Sequence, residues 1–393
     1  MKQKPIDYSK ILTPVVTAIK PSGIRKFFDI ASEMEGVISL GVGEPDFPTP
    51  WHVRHAGITS LENSQTRYTS NWGLERLRQE IASYVKRKYQ LTYDPTDEIL
   101  ITVGGSEAID AAIRAVVSPG DEVIIPQPSY VCYEPLTRMA GGVPVIIETK
   151  AEHAFKLTPE DLLAHITPRT KALILPYPCN PTGAIMERAD LEAIAAILRE
   201  RDILVISDEI YAELTYSHHR HVSIAAIDGM ADRTVVVNGF SKTFSMTGWR
   251  LGYACGPAPV LRQITKIHQF AIMCAPTTSQ YAAIEALRHC DSEVEEMREE
   301  YDMRRRLIVN GFNKLGLTCR EPLGAFYVFP CIRSTGMTSD EFCEKLLFSK
   351  HVAIVPGTAF GLGGEGFIRA SYCYSTEHIK EALRRIGEFL QEL

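Results

Sequence analysis

No stretch of this 393-residue chain approaches the roughly 18 consecutive apolar residues that a membrane-spanning helix needs. Positive charge is in deficit: 42 Lys and Arg stand against 48 Asp and Glu, a net charge of -6. A chain of that sign has no global field for nucleic acid or an anionic bilayer, so neither is an expected partner. Any small anion must be held by local donors. The nine cysteines are odd in number, scattered, and form no CxxC pair, which argues against a disulfide framework or a zinc ribbon. The first residues, MKQKPIDYSK, lack the apolar core of a secretory signal. Together with reduced thiols, this leads us to expect a cytoplasmic protein. Charge runs, low-complexity linkers and internal repeats are missing too, and 45% hydrophobic residues are ample for a buried core.

What the chain does have is alternation. Short apolar runs occur at Ile99–Val103, Glu122–Ile125, Val143–Ile147, Lys171–Leu175, Ile203–Ser207 and Thr234–Val237. Segments with helical spacing, such as Ala108–Val117 and Leu191–Glu200, lie between them. Runs that are apolar throughout, rather than at every second residue, suit strands covered on both faces. The expected fold is therefore α/β, a mainly parallel sheet with helices on both faces. The flanks differ. Residues 1–35 read as an arm followed by a short helix, and 281–318 as mostly charged helix. Gly324–Phe329, Val352–Val355 and Phe367–Tyr372 read as strands before a last helix from Glu377. We expect 36–280 to form the large domain, and 281–393 with part of 1–35 to form a smaller α+β domain.

Four motifs fall at the ends of expected strands, and the carboxyl edge of an open α/β sheet is where ligands bind. SKTFSMTGWR (Ser241–Arg250) follows the apolar run TVVVNGF. An amine just beyond a buried strand is costly to charge, so its pKa falls and Lys242 gains the nucleophilicity of a Schiff-base lysine. Arg250 offers a planar fork for a phosphate. ILVISDEIY (Ile203–Tyr211) leaves Asp208 at a strand end, suited to a protonated pyridine nitrogen or to capping a helix. Tyr211 follows three residues later and can face the same crevice. ITVGGSEA (Ile101–Ala108) is a strand, a glycine turn and a helix start, whose N–H groups hold a phosphate or serve an ordinary turn. It is not GxGxxG, so a dinucleotide fingerprint is missing. In YPCNPTG (Tyr177–Gly183), prolines stiffen a turn, with a cis peptide as one option, that presents Asn180 at the same edge. Two patterns carry less. GLGGEG (Gly361–Gly366) reads as a flexible loop, and His218, His219 and His221 as a polar surface turn, so no metal is expected.

In chain order, GVGEPDF from Gly41, the GGSEA turn, NPTG, SDEIY, SKTFSMTGWR and the late FIRASY resemble the fold type I, pyridoxal-phosphate-dependent aminotransferases. That class includes aspartate and aromatic aminotransferases. The resemblance runs from about Pro21 to the carboxyl terminus, and within the class is nearest to the bacterial aminotransferase A group, associated with N-acetyl-diaminopimelate in lysine synthesis. It implies pyridoxal 5′-phosphate as cofactor and a homodimer with shared active sites. It implies that Lys242 bonds the cofactor and carries the proton, while Asp208 faces the pyridine nitrogen so that the ring accepts electrons. It assigns Asn180 and Tyr211 to the ring 3-oxygen and Tyr130 to stacking. Gly105, Ser106 and Arg250 fall to the phosphate, with Tyr68 reaching the phosphate of the other subunit. Arg369 is implied to grip the substrate α-carboxylate, beside Asn180, with Gly41 in a mobile segment that closes over it.

Two departures from the pattern bear on substrate. Gly239 stands where many relatives have a phosphate-binding serine, which leaves Ser241 as a substitute. Ser106 stands where aspartate-specific relatives often have a lysine, which disfavours aspartate. The expected reaction moves an α-amino group between an L-amino acid and a 2-oxo acid, with 2-oxoglutarate as acceptor and N-acetyl-LL-diaminopimelate as a candidate donor. The alternatives are an aspartate or aromatic aminotransferase, or a C–S β-lyase using the same cofactor. A nicotinamide dehydrogenase fails on the fingerprint, and a DNA-binding regulator needs a basic helix-turn-helix segment that the chain lacks.

Overall fold

Five of the six expected apolar runs pair side by side, and a seventh strand that the sequence did not announce lies between them and the sixth, Ile99–Thr102. The computed structural model describes residues 6–21, 23–24 and 34–393. In chain order the strands are β1 (Ile38–Ser39), β2 (Ile99–Thr102), β3 (Glu122–Gln127), β4 (Val143–Glu148), β5 (Thr170–Leu175), β6 (Leu204–Asp208), β7 (Thr234–Gly239), β8 (Gly252–Cys255), β9 (Tyr327–Val328), β10 (Val352–Ala353), β11 (Val355–Pro356) and β12 (Ile368–Ser371). The large sheet has the order β2-β8-β7-β6-β5-β3-β4. β8 runs antiparallel to both its neighbours, and the other pairs are parallel.

Neighbouring residues on a strand serve opposite layers. Val123, Ala172, Ile174, Ile206 and Val235 pack with the helices Gly104–Val116 and Ala258–Ala271. Ile124, Leu173, Leu175 and Val205 face the helix Arg188–Leu198 on the other side. Each fully buried Val, Leu or Ile contributes about 1.5–3 kcal/mol over leaving it exposed. Burial on both faces makes the carboxyl edge of β5, β6 and β7 a stiff platform for the turns that follow.

β8 escaped the sequence reading because it is short and opens on glycine. Its close approach requires that glycine: a Cβ on Gly252 would lie 2.6 Å from the carbonyl carbon of Gly104. The carboxyl-terminal strands are also shorter than the apolar runs imply. Gly324–Phe329 reduces to β9, because Ala325 has φ 57 and Gly324 bridges Thr215 instead. Val352–Val355 divides, β10 pairing with β1 and β11 with β12. The β1–β10 pair joins the segment leading into GVGEPDF to the carboxyl-terminal region, just past residue 35 where the arm was expected to end. Of that arm, the described part holds a turn at Tyr8–Lys10 and a helix at Pro14–Ala18. The remainder falls partly on residues 22 and 25–33, outside the described residues.

Two expectations are corrected. His221 is not an exposed turn residue: its side chain is buried, and Nε2 lies 2.7 Å from Glu209 Oε2. Glu209 is fully buried, and a carboxylate there needs donors, which Ser207, Ser223 and His221 supply. The glycine-rich run Gly361–Gly366 forms a packed turn, not an open loop. A Cβ on Gly357 would lie 2.0 Å from the Gly364 carbonyl oxygen, so the two backbones are in direct contact.

Candidate active site

At the carboxyl edge of β6 and β7 lies a cleft of about 580 Å³. The glycine turn contributes Gly105 and Ser106, the NPTG turn Asn180, and the strand ends Asp208, Tyr211, Ser241 and Lys242. Tyr130, Arg250, Gly41 and Arg369 close the remaining walls. Tyr68 does not line this cleft and is 82% exposed.

Lys242 Nζ donates to the Gly43 carbonyl at 2.7 Å. Burial pushes its amine down to about 8, and the nearby Arg369 and Arg250 act in the same direction against Cys373 and Glu44. Asp208 sits at the end of β6, where Tyr133 donates its hydroxyl to Oδ2 at 2.7 Å and the Ile210 N–H donates to Oδ1 at 3.2 Å. Burial raises its pKa, opposed by those two donors, so a cation arriving in the cleft relieves a real electrostatic cost. Tyr211 lies 2.9 Å, hydroxyl to hydroxyl, from Tyr327.

Arg369 is 2% exposed, an unusual place for a guanidinium. Its Nη1 donates to Asn180 Oδ1 at 2.9 Å and its Nη2 to the Gly41 carbonyl, while Nε is buried without a partner. The plane packs over Tyr327, 4.4 Å from the ring centroid, and beside Phe360. A buried cation with an unspent donor calls for an anion. The Gly41–Phe47 loop that supplies both carbonyls is itself tied down. Asp46 receives Arg304 on both carboxylate oxygens at 2.8 Å, and Thr247 donates to Glu44. Gly43 must be glycine, because a Cβ would lie 1.8 Å from the Tyr327 hydroxyl.

A second group of donors lines the same cleft. The helix Gly104–Val116 starts at Gly104 with φ 75, and the Arg250 guanidinium packs where a Cβ at Gly104 would be, 2.7 Å away. Arg250 itself adopts φ 50 and donates from Nη1 to the Thr247 carbonyl at 3.0 Å. Gly239 pairs with Gly252, and a side chain there would press on the Leu251 carbonyl at 3.1 Å, a steric reason for the missing serine. Pro178 and Pro181 follow cis peptide bonds in the NPTG turn, as does Pro128.

The sequence profile of aminotransferases of class I and II matches residues 35–386. The chain belongs to this family. It is an aminotransferase, and its cofactor is pyridoxal 5′-phosphate. The chain is 52% identical over 381 residues to the putative aminotransferase YugH of Bacillus subtilis, covering 97% of this chain and 98% of that one. It is 46% identical to an aspartate aminotransferase of Pyrococcus abyssi, covering 95% and 97%. Among solved structures, an aromatic aminotransferase from Pyrococcus horikoshii superposes with a TM-score of 0.89 at 43% identity, covering 94% and 99%.

The cleft of this aminotransferase fits the cofactor. The cradle at Gly104 under Arg250 would take its phosphate, the strand-end Asp208 its ring nitrogen, and Lys242 its aldehyde carbon. Sequence reasoning missed two residues here. Tyr133 follows Tyr130 by three, a spacing that places it one turn on, and the two rings meet edge to face at 6.0 Å. Tyr327 falls inside the expected strand Gly324–Phe329, where the local pattern carries no sign of its contacts with Tyr211 and Arg369. Removing the Tyr133 hydroxyl leaves Asp208 with one donor, and a hydrogen bond to a charged group contributes about 1.5–3 kcal/mol. Tyr133→Phe is therefore expected to lower kcat roughly tenfold or more while leaving KM for the amino acid nearly unchanged, as steady-state kinetics would show.

Proposed function

We propose that the protein transfers the α-amino group of a bulky, mainly apolar L-amino acid, an aromatic one first, to a 2-oxo acid such as 2-oxoglutarate. The division of the cleft's cations carries this reading. Among the described residues that line it, the cations are Lys242, Arg250 and Arg369. Arg250, with the turn at Gly105 and the hydroxyls of Ser106 and Ser241, serves the phosphate. Lys242 serves the amine and moves the proton at the substrate α-carbon. Arg369, steadied by Asn180 and by Gly41, grips the α-carboxylate through its planar fork. With the cofactor bound, Asp208 would hold the proton of the ring nitrogen, Asn180 and Tyr211 would serve the ring 3-oxygen, and Tyr130 would stack on the ring. The bound cofactor supplies the electron sink for the α-carbon.

No fourth cation in that lining remains for a distal carboxylate, so the distal carboxylate of 2-oxoglutarate as acceptor, like that of aspartate, must be met by neutral donors or by a residue from outside the lining. Val42, Val131 and Ile24 favour an apolar side chain. The same walls have room for the methylene chain of N-acetyl-LL-diaminopimelate, but the carboxylate at its acetylated end meets no cation in this lining either. Aspartate is the second reading, supported by the name of the Pyrococcus abyssi relative, and it requires a cation from outside this lining. Comparing kcat/KM for phenylalanine, N-acetyl-LL-diaminopimelate and aspartate at saturating 2-oxoglutarate decides among them. Phenylalanine is expected to exceed aspartate by about tenfold or more, the scale at which a pocket discriminates side chains. A preference for aspartate would overturn the aromatic reading.

A homodimer with shared sites is part of the same proposal. Tyr68 faces solvent, and Trp51, Ile58, Leu61 and Phe270 leave large apolar side chains exposed. Sedimentation is expected to give a particle of two chains, and a fully active particle of 43.8 kDa would refute it. Nine free thiols, six of them buried, support a reducing compartment such as the cytoplasm.

A further inference from the structure

Outside the cleft, one group of side chains has the composition of a metal site. His52 stands in the first turn of the helix Trp51–Glu62. Cys290 links the helices Thr277–His289 and Asp291–Lys314, and Glu293 lies in the first turn of the latter. A donor atom from each lies within 4.8 Å of the other two. His52 Nε2 is 2.9 Å from Glu293 Oε1 and 3.7 Å from Cys290 Sγ. A tetrahedral zinc ion, with bonds of about 2.3 Å to sulfur and about 2.0 Å to nitrogen, holds such a nitrogen and sulfur about 3.5 Å apart. The nitrogen–oxygen pair would open by only about 0.4 Å.

The other ring nitrogen supplies an independent observation. His52 Nδ1 lies 3.1 Å from Glu285 Oε1. With Nε2 on an ion, a carboxylate there would accept the Nδ1 proton and fix the ring, the partner that zinc-bound histidines carry. We propose that His52, Cys290 and Glu293 bind a zinc-type divalent cation, with Glu285 orienting His52. One nitrogen, one sulfur and one oxygen donor select a borderline ion over magnesium or calcium, which take oxygen ligands. On binding, the thiol proton of Cys290 and any proton on Nε2 leave to solvent. His52 and Glu293 are each about one-third exposed, so the ion has a path in and a water has the fourth position. None of the four residues lines the cleft. The ion therefore clips the helix Trp51–Glu62 to the helix junction at Cys290 and takes no part in the chemistry. His52 and Cys290 are 238 positions apart, so no ligand spacing in the sequence could signal the site.

Cobalt(II) is the probe. Titrated into the pyridoxal-phosphate-loaded protein, one ion per chain is expected to bind with the intense visible bands of a tetrahedral thiolate site, and zinc(II) to displace it. Cys290→Ser and His52→Gln should each abolish the bands. Glu285→Gln keeps all three donors and should weaken binding about 10- to 100-fold. Zinc should raise the Tm of the wild type but not of the two ligand variants, with turnover little changed in all. Absence of stoichiometric binding, or bands that survive in either ligand variant, would overturn the proposal. In the latter case the ion sits elsewhere, with the His218–His219 turn the first place to look.

Discussion

Lys242→Ala is expected to abolish turnover, by about 10⁴-fold or more, because one side chain serves as both nucleophile and proton carrier. The variant should still take up pyridoxal phosphate, since the cradle of Gly104, Gly105 and Arg250 does not involve the amine, but without a covalent bond. Borohydride treatment of the wild type should label a peptide containing Lys242, and a label on any other lysine would reject the assignment. The pH dependence has a definite sign. The amine is lowered to about 8 by burial, so its free-base fraction grows as pH rises through that value. Covalent capture of pyridoxal phosphate by the cofactor-free protein should accelerate up to about pH 8 and level above it, as stopped-flow absorbance would record. An unperturbed lysine would keep accelerating past pH 10.

Asp208→Asn is the second large effect. Loss of one preorganised electrostatic contact of this kind costs about 3–4 kcal/mol in the transition state, or about 10²–10³ in kcat. Stability should move the other way in the cofactor-free protein. Burial raises the Asp208 pKa in the fold above its unfolded value. Stability linked to this group is therefore complete at low pH and declines as pH rises through the folded pKa. Asparagine removes the buried charge, keeps an oxygen for one donor, and can donate to the Tyr133 hydroxyl. The cofactor-free variant should thus unfold at the same temperature as the wild type or higher at neutral pH, while turnover falls. Reduced stability with near-normal turnover would make Asp208 a structural residue and remove it from the chemistry.

Much of the fold was legible because strand periodicity is local. The apolar runs at β3, β5 and β6 are driven into the core by their own side chains, and their place in a doubly covered sheet follows from continuous hydrophobicity. The turn motifs were equally plain, since they sit at the ends of the runs at β2, β5, β6 and β7. What failed was set by distant neighbours. β8 begins on Gly252, whose lack of a side chain answers to Gly104, far away in sequence. His221 looks like part of a polar turn until the fully buried Glu209 is brought against it.

The same division runs through the site. The sequence by itself determined which residues lie at the sheet's carboxyl edge, because a strand's end and the turn that follows are fixed by local pattern. That was enough to expect Lys242, Asp208, Asn180 and Arg250 at one edge, and all four line the same cleft. Only the tertiary structure decided how their charges are held. The Tyr133 hydroxyl on Asp208, the Gly43 carbonyl on Lys242 and the Gly41 carbonyl on Arg369 are contacts between segments 75, 199 and 328 residues apart. Burial, and with it the direction of each pKa, is a property of the packed surroundings and not of a residue's chain neighbours.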